Sequence, residues 1–176
     1  GKHLRMNLQK ATQEEDEAER RSLLTTTIVG AGPSGIELAA TLADLLPQWY
    51  EDLGGDVDDL RLVVLQRSSD ILLGGISDSL RNKAKEALSD RRMPVEVRLN
   101  STVQEVTAAS IRCEQDDIAQ DIAAKTTVWT AGSATHPLVK SLPIAAEHRD
   151  VRGRPHLTST LQLIDYPDVF AGGDCA

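Results

Sequence analysis

Apolar residues recur along the chain with a period that switches between strand-like and helix-like. Short apolar runs are typical of buried strands, and apolar positions three and four residues apart are typical of amphipathic helices. The predicted elements are a polar helix over 2–21, a strand at Thr26–Val29, a helix at Pro33–Leu46, a loop over 47–59, a strand over 60–66, a helix at Ile76–Asp90 and a strand over 94–99. Strands that alternate with helices predict a parallel sheet.

The pattern changes after residue 99. Three segments with a period of two follow without a helix between them, over 101–106, 110–114 and 121–129. They predict a small antiparallel meander. The predicted fold is therefore α/β, a Rossmann-like parallel sheet with a β-meander crossover that covers one face in place of a helix.

Two predicted helices carry apolar stripes, and the buried stripe of the first is Ile36, Ala39, Ala40, Ala43 and Leu46. The second carries Ile76, Leu80, Ala84 and Leu88 at spacings of four. Trp129, at the end of the last predicted strand, is interpreted as a core residue, and a ring that stacks on a cofactor is the alternative.

Composition narrows the classes of function. Acidic residues outnumber basic ones 27 to 19, giving a net charge of −8, which argues against a nucleic-acid partner. Cys113 and Cys175 show no metal-ligand spacing, nor do His136, His148 and His156, so no metal site is predicted. Two unpaired cysteines and the lack of a signal peptide favour a cytoplasmic protein, and Gly rather than Met at position 1 suggests an excised piece.

The stretch "TTTIVGAGPSGIELAA" carries the most chemistry. A strand runs into Gly30, Gly32 and Gly35, and Pro33 and Ser34 then open a helix. In this setting the first glycine permits a tight turn, the second lets a pyrophosphate approach the backbone, and the third lets the helix pack on the sheet. The N–H groups at the helix start attract the phosphates. A dinucleotide-binding site is predicted, and a glycine-rich structural turn is the alternative.

Three stretches in order, "LLTTTIVGAGPSGIELA", "TTVWTAG" and "DVRGRPHLTSTLQLIDYPDVFAGGDCA", resemble the type II NAD(P)H:quinone oxidoreductases, which are flavoproteins with two dinucleotide-binding domains. In that family the NAD(P)H domain is inserted into an FAD domain. The resemblance implies a connecting helix from the FAD domain over 1–24, an NAD(P)H-binding domain over 25–131 and an incomplete return segment into the FAD domain over 132–176. The FAD domain's own glycine motif and the membrane-binding C-terminal region are expected elsewhere.

The resemblance also implies roles for individual residues. Glu37 would reach the nicotinamide carboxamide, although a solvated helix acid is the alternative. Ala131 and Gly132 would let the nicotinamide cofactor lie close to the backbone. Asp174 would accept hydrogen bonds from the FAD ribityl chain, or cap a following helix, or do both.

The end of the second strand predicts which nucleotide is accepted. A fold that selects NAD usually places an acid there, about 20 residues after the glycines, and the loop over 47–59 explains the longer count here. Gln66 occupies the position and Arg67 follows it, with Ser68 and Ser69 next. A cation and two hydroxyls would suit a 2′-phosphate, so NADPH is expected to be accepted at least as well as NADH. A solvent-facing Arg67 is the alternative.

The implied reaction is hydride transfer from NAD(P)H to FAD, followed by reduction of a quinone. The flavin supplies the chemistry, so no residue is nominated as a catalytic acid or base. The full protein would lie on the inner face of a membrane through regions outside this chain, and a homodimer stays open. Two alternatives remain: an FAD-dependent disulfide reductase, and a nucleotide-binding module without catalysis. This chain alone is expected to be inactive.

Overall fold

A computed structural model describes residues 1–74, 76–132 and 134–176. They form two compact units, Gly1–Ala131 and Gly132–Ala176, which are described separately below. The helices are α1 (Lys2–Ala11), α2 (Glu17–Leu24), α3 (Pro33–Glu51), α4 (Asp78–Ser89) and α5 (Pro137–Ser141). The strands are β1 (Thr25–Val29), β2 (Arg61–Leu65), β3 (Val95–Arg98), β4 (Ser101–Val106), β5 (Ser110–Gln115), β6 (Ile118–Ala123) and β7 (Thr126–Trp129).

The first unit is built on a four-stranded sheet in the order β3-β2-β1-β7, in which every pair is parallel. Successive side chains of a strand point to opposite faces. Ile28, Leu62 and Val64 therefore pack on one face in the same cluster as buried residues of α3. Val29, Val63 and Leu65 pack on the other face against three buried residues of the meander. Those three are Ile111, Cys113 and Ile122.

The meander is the antiparallel sheet β4-β5-β6. It lies in the chain between β3 and β7 and covers the sheet face opposite α3. The predicted fold class, a parallel sheet with a β-meander crossover, is confirmed.

The N-terminal region differs from the prediction of one helix over 2–21. The structure has two helices, because α1 ends at Ala11 and α2 begins at Glu17. The Asp16 carboxylate accepts a hydrogen bond from the Glu19 N–H at 2.9 Å. An aspartate in this position satisfies an otherwise unpaired amide of the first turn, so it favours a new helix start over a continuous helix.

Helix α3 extends five residues beyond the predicted end at Leu46 and contains Pro47 in its interior. The proline removes one backbone hydrogen bond, which usually ends a helix. Here Leu46, Pro47 and Tyr50 are all buried, and packing of this face outweighs the lost bond. The predicted loop over 47–59 therefore begins only after Glu51, and it includes a short 3₁₀ turn at Val57–Asp59.

Three predictions about strands and burial need correction. The segment over 121–129 is not one strand, because β6 closes the meander and β7 enters the parallel sheet. Leu80 is 53% exposed, and Leu88, near the C-terminal end of α4, is the residue of the predicted stripe that is fully buried. Trp129 is 58% exposed rather than in the core, because it ends β7, which is one of the two edge strands of this sheet.

The second unit consists of α5, 3₁₀ turns and isolated bridges such as Leu157 with Leu163. Asp165 organises part of it, accepting a hydrogen bond from the Ala145 N–H at 3.0 Å and pairing with His148 Nδ1 at 2.6 Å. The Arg149 guanidinium donates to the carbonyls of Val139 and Leu142 at the end of α5. Among the described helices, none has the length and apolarity needed to cross a membrane.

Candidate nucleotide-binding site

The turn between β1 and α3 depends on two of its glycines for packing. Gly30 has a φ of +105°, and a Cβ built on it would lie 2.9 Å from the Ala131 Cα. A Cβ on Gly35 would lie 1.9 Å from the Gly30 carbonyl oxygen. Gly30 is therefore needed for the tight turn, and Gly35 for the close approach of the helix to that turn.

Gly32 is different, since a Cβ built there would meet no atom within 4 Å. Its backbone is extended, a conformation that any residue adopts, so the fold itself places no demand on this position. Open space beside the middle glycine is what the close approach of a ligand requires.

The start of α3 adjoins this open space with amides that the helix itself leaves unpaired. Pro33 occupies the first helical position and Gly32 precedes it as the N-cap. The Ile36 N–H donates to the Gly32 carbonyl at 3.0 Å and is the first amide bonded within the helix. Pro33 has no N–H, so the helix leaves the N–H groups of Ser34 and Gly35 without a partner of its own. Ser34 is exposed beside them. These groups form the kind of helix N-terminus that binds phosphates.

Thr130 fixes the turn from the neighbouring strand, a role that the sequence did not indicate. Its N–H donates to the Val29 carbonyl at 2.9 Å, and its hydroxyl donates to the carbonyls of Val29 and Gly30 at 2.9 and 3.0 Å. Ala131 follows and lies against Gly30. The end of β7 therefore holds the glycine turn in place.

Gln66, the predicted ribose contact, bonds to the glycine turn itself. Its side-chain oxygen accepts from the Ala31 N–H at 3.0 Å, and its amide nitrogen donates to the Asp70 carbonyl at 3.3 Å. The side chain is half-buried. Gln66 thus contacts the residue between the first two glycines, and its predicted role toward the ribose stays a prediction.

Arg67 and Glu37 project from the same unit. Arg67 is exposed and, among the described residues, forms no ion pair within 4.0 Å. Glu37 is exposed on α3, one turn after the glycines, and its backbone carbonyl accepts from the Thr41 hydroxyl at 2.8 Å. Both side chains are free to reach a ligand, and their predicted roles stay predictions.

Gly132 and Asp174 belong to the second unit. Gly132 has a φ of +76°, in the left-handed region that favours glycine. Asp174 is exposed within a 3₁₀ turn at Gly173–Cys175. Within the first unit, the structure brings Gly30, Gly35, Ala131 and Gln66 to one turn. Gly132 and Asp174 lie in the second unit, and their predicted roles stay predictions. Across residues 1–74, 76–132 and 134–176, no cluster of His, Cys, Asp and Glu side chains is arranged to hold a metal ion.

The family model for pyridine nucleotide-disulphide oxidoreductases matches residues 3–176. The chain belongs to this family. The type II NADH:quinone oxidoreductase Ndh of Mycobacterium tuberculosis is 30% identical over 173 residues, which cover 96% of this chain and 36% of that protein. The demethylphylloquinone reductase NdbB of a Synechocystis species is 31% identical, with 93% and 36% covered.

Solved structures confirm the fold. NDH2 of Plasmodium falciparum, in complex with NADH, superposes with a TM-score of 0.71 at 18% identity and covers 98% of this chain and 36% of that one. The chain spans about a third of the length of these relatives. The motifs indicate a resemblance to type II NAD(P)H:quinone oxidoreductases. That resemblance is confirmed, because curated relatives of the chain, such as Ndh, are type II NADH:quinone oxidoreductases.

Proposed function

We propose that this chain binds the nicotinamide nucleotide of an FAD-dependent NAD(P)H:quinone oxidoreductase, with residues 25–131 as its NAD(P)H-binding domain. One observation carries the proposal: Gly32 faces open space at the amino end of α3, between two glycines that the packing itself requires. A pyrophosphate would occupy that space, where the backbone amides and the positive end of the helix stabilise its charge.

The remaining residues of the first unit would orient the nucleotide. Pro33 and Ser34 would line the pyrophosphate position at the start of α3. The Glu37 carboxylate would accept a hydrogen bond from the nicotinamide carboxamide, and the small side chain of Ala131 would leave room beside the backbone. Gln66 and Arg67 would face the adenosine ribose. Orientation of the reacting ring is the contribution asked of these residues.

FAD would be held partly by the second unit. Asp174 offers an exposed carboxylate, and a charged acceptor suits the hydroxyl groups of a ribityl chain. When bound, FAD supplies the chemistry, taking hydride from NAD(P)H and passing electrons to a quinone. Residues 1–24 would connect from an FAD domain and 132–176 would return to it, with Gly132 at the junction.

The names of the relatives support a quinone as the electron acceptor, since they describe NADH:quinone and demethylphylloquinone reductases. A quinone acceptor resides in a membrane, so the whole protein would work as a peripheral enzyme at the inner face of one, in electron transport. A disulfide acceptor would require a redox-active cysteine pair in the enzyme. Cys113 is buried in the core of the first unit and Cys175 is a free thiol of the second, so such a pair would have to lie in another part of the protein.

The intact protein tests this proposal directly. We expect stoichiometric bound flavin in its absorbance spectrum, bleaching of that flavin by NADH or NADPH without oxygen, and reoxidation by a short-chain quinone. Reoxidation by a disulfide and not by the quinone would point to the reductase alternative. A protein that binds nucleotide and holds no flavin would be a binding module, and the oxidoreductase proposal would be wrong.

A further inference from the structure

The Gln66 carboxamide is fixed at both ends by the protein. Its oxygen accepts from Ala31 N–H at 3.0 Å and its nitrogen donates to the Asp70 carbonyl at 3.3 Å. If the carboxamide were turned over, nitrogen would face the Ala31 N–H and oxygen would face the Asp70 carbonyl. Both contacts would then be unfavourable. The Ala31 N–H and the Asp70 carbonyl therefore determine together which way the amide points, and the Asp70 carbonyl fixes the direction of its nitrogen.

Asp70 is in turn held by α4. Its carboxylate lies 2.6 Å from Lys85 Nζ and 3.5 Å from Arg81 Nε, and it accepts from the Ile71 N–H at 2.8 Å. The hydrogen bond from Lys85, followed by that from the Ile71 N–H, holds the pKa of this carboxyl below its ordinary value. Asp70 is thus anionic at neutral pH, with two cations anchoring it.

The loop after Asp70 is attached to the glycine turn by a second bond. Leu72 N–H donates to the Ala31 carbonyl at 2.8 Å, so loop 66–72 uses both backbone groups of Ala31. Leu72 is buried and has a φ of +51°, which is uncommon for a residue with a branched side chain. Such a conformation persists only where its surroundings impose it. The hydrogen bonds between this loop and the glycine turn therefore hold Leu72 in a conformation that it would not adopt in a free loop.

We propose that Asp70 is a positioning residue, which turns the Gln66 carboxamide so that its remaining N–H points at the adenosine ribose and favours a 2′-phosphate there. This inference rests on the proposed function, since it assumes that the nucleotide lies along Gly32 and Gln66. An amide nitrogen carries two N–H groups, and the Asp70 carbonyl uses one of them. The second is a donor, which pairs with a phosphate oxygen better than an acidic side chain would.

The test compares two probes that contain the ribose end alone and cannot reduce a flavin. Calorimetry on the intact protein would give the affinities of adenosine 2′,5′-bisphosphate and adenosine 5′-monophosphate. For Asp70→Ala we expect the preference for the bisphosphate to fall roughly tenfold, the equivalent of one weak charge-assisted hydrogen bond. Asp70→Asn keeps one acceptor oxygen, and both Lys85 Nζ and the Ile71 N–H contact a single oxygen of Asp70, so it should retain most of the preference.

Asp121→Ala is the matched control, because Asp121 pairs with Arg112 at 2.9 Å on the exposed meander. It should leave both affinities unchanged. Lys85→Met serves if Asp70→Ala does not fold, and we expect a smaller loss of preference in the same direction. If either variant lowers the affinities of both probes equally, or lowers neither, Asp70 does not position Gln66 for the 2′-phosphate and its role is structural.

A double variant tests whether Asp70 acts through Gln66. In a Gln66→Ala background, the addition of Asp70→Ala should change the preference no further, since the positioned group is already gone. A further fall would overturn the inference. If the wild type binds neither probe nor NADPH, the proposed nucleotide site itself is wrong. If the wild type binds both probes and Asp70→Ala keeps the same preference, the site stands and only the inference about Asp70 is wrong.

Discussion

At the scale of single residues, we expect substitutions of Gly32 and Gly35 to have opposite effects on nucleotide binding and stability. Gly32→Val places its side chain in open space, so we expect the melting temperature to stay within a few degrees while nucleotide binding is lost. Gly35→Ala drives a methyl group to within 1.9 Å of the Gly30 carbonyl, and we expect destabilisation of at least about 1–3 kcal/mol. Thermal unfolding and calorimetry with NADH or NADPH would measure both.

The two variants control for each other, because they lie in one turn and differ only in surroundings. A Gly32→Val protein that stays folded and binds nucleotide with wild-type affinity would contradict the placement of the pyrophosphate. A Gly35→Ala protein as stable as the wild type would contradict the packing role of Gly35.

Gln66→Glu tests nucleotide selection at the end of β2. An acid repels a 2′-phosphate and can accept hydrogen bonds from ribose hydroxyls. We therefore expect the ratio of NADPH affinity to NADH affinity to fall by roughly 10- to 150-fold, which corresponds to the loss of one charge-assisted hydrogen bond. The wild type should accept NADPH at least as well as NADH. Titration of both nucleotides against both proteins measures this. A strong wild-type preference for NADH that the substitution leaves unaltered would refute it.

The structure adds a second consequence of this substitution. Glutamate cannot donate to the Asp70 carbonyl, which Gln66 contacts at 3.3 Å, so the variant should also be less stable. Gln66→Met, which removes both amide contacts without adding charge, is the control that separates loss of these contacts from repulsion of the phosphate.

Which site residues can be foreseen depends on how locally they act. The three glycines were predicted because their spacing alone encodes the turn, and Gln66 because it follows a recognisable strand. Thr130 and Asp70 were not foreseen. Thr130 bonds to Val29 from 101 positions further along the chain, and the role we propose for Asp70 depends on Lys85, which lies on another element, α4. Nothing in the local pattern of a threonine or an aspartate specifies such a partner.

At the scale of elements, an ionic network joins the parallel sheet to the meander. The Glu96 carboxylate on β3 accepts from Arg61 on β2 at 2.8 and 3.0 Å and from Arg98 at 2.6 Å. Arg98 also donates to the Gln120 side chain on β6 at 2.9 Å. Burial alone would raise the pKa of Glu96, but the bonds from Arg98 and Arg61 outweigh it and lower that pKa.

This lowered pKa predicts how stability depends on pH. A carboxyl with a depressed folded-state pKa stabilises the fold fully above its unfolded value, near 4.5, and that contribution disappears as pH falls through the folded value. We therefore expect Glu96→Gln to be less stable than the wild type at pH 7, with the difference shrinking below about pH 4.5. Urea unfolding at several pH values measures it.

Glu86→Gln removes the same charge from an exposed position on α4 and is the control for Glu96→Gln. A difference between wild type and Glu96→Gln that stays constant from pH 7 into acid would contradict the network's role.

The elements themselves were largely predictable, and their ends were not. The strand and helix order follows from hydrophobic period, which is a local property. The continuation of α3 through Pro47 and the division of residues 121–129 into β6 and β7 depend on tertiary packing. The exposure of Trp129 likewise follows from the position of β7 at the edge of the sheet, which no local pattern specifies.

At the scale of the whole molecule, we expect the purified 176-residue chain to bind NAD(P)H and to hold no stoichiometric FAD. The proposed nucleotide site lies within one unit, whereas Asp174 is the one residue of the chain for which we propose an FAD contact. Nucleotide titration and the flavin absorbance of the purified chain, with added FAD, would measure this. Stoichiometric flavin that survives gel filtration would overturn the prediction.

The pairing of β1 with β7 has a consequence for how the protein is made. The Thr27 and Thr127 hydroxyls lie 2.8 Å apart although 100 residues separate them in the chain. During synthesis, β1 emerges long before β7, so one of its edges stays unpaired while the helices and the meander are translated. Contacts of such long range slow folding, and an unpaired strand edge invites association with other chains. Slower translation or chaperone binding before residue 126 should therefore affect the yield of folded protein more than the same change after residue 129.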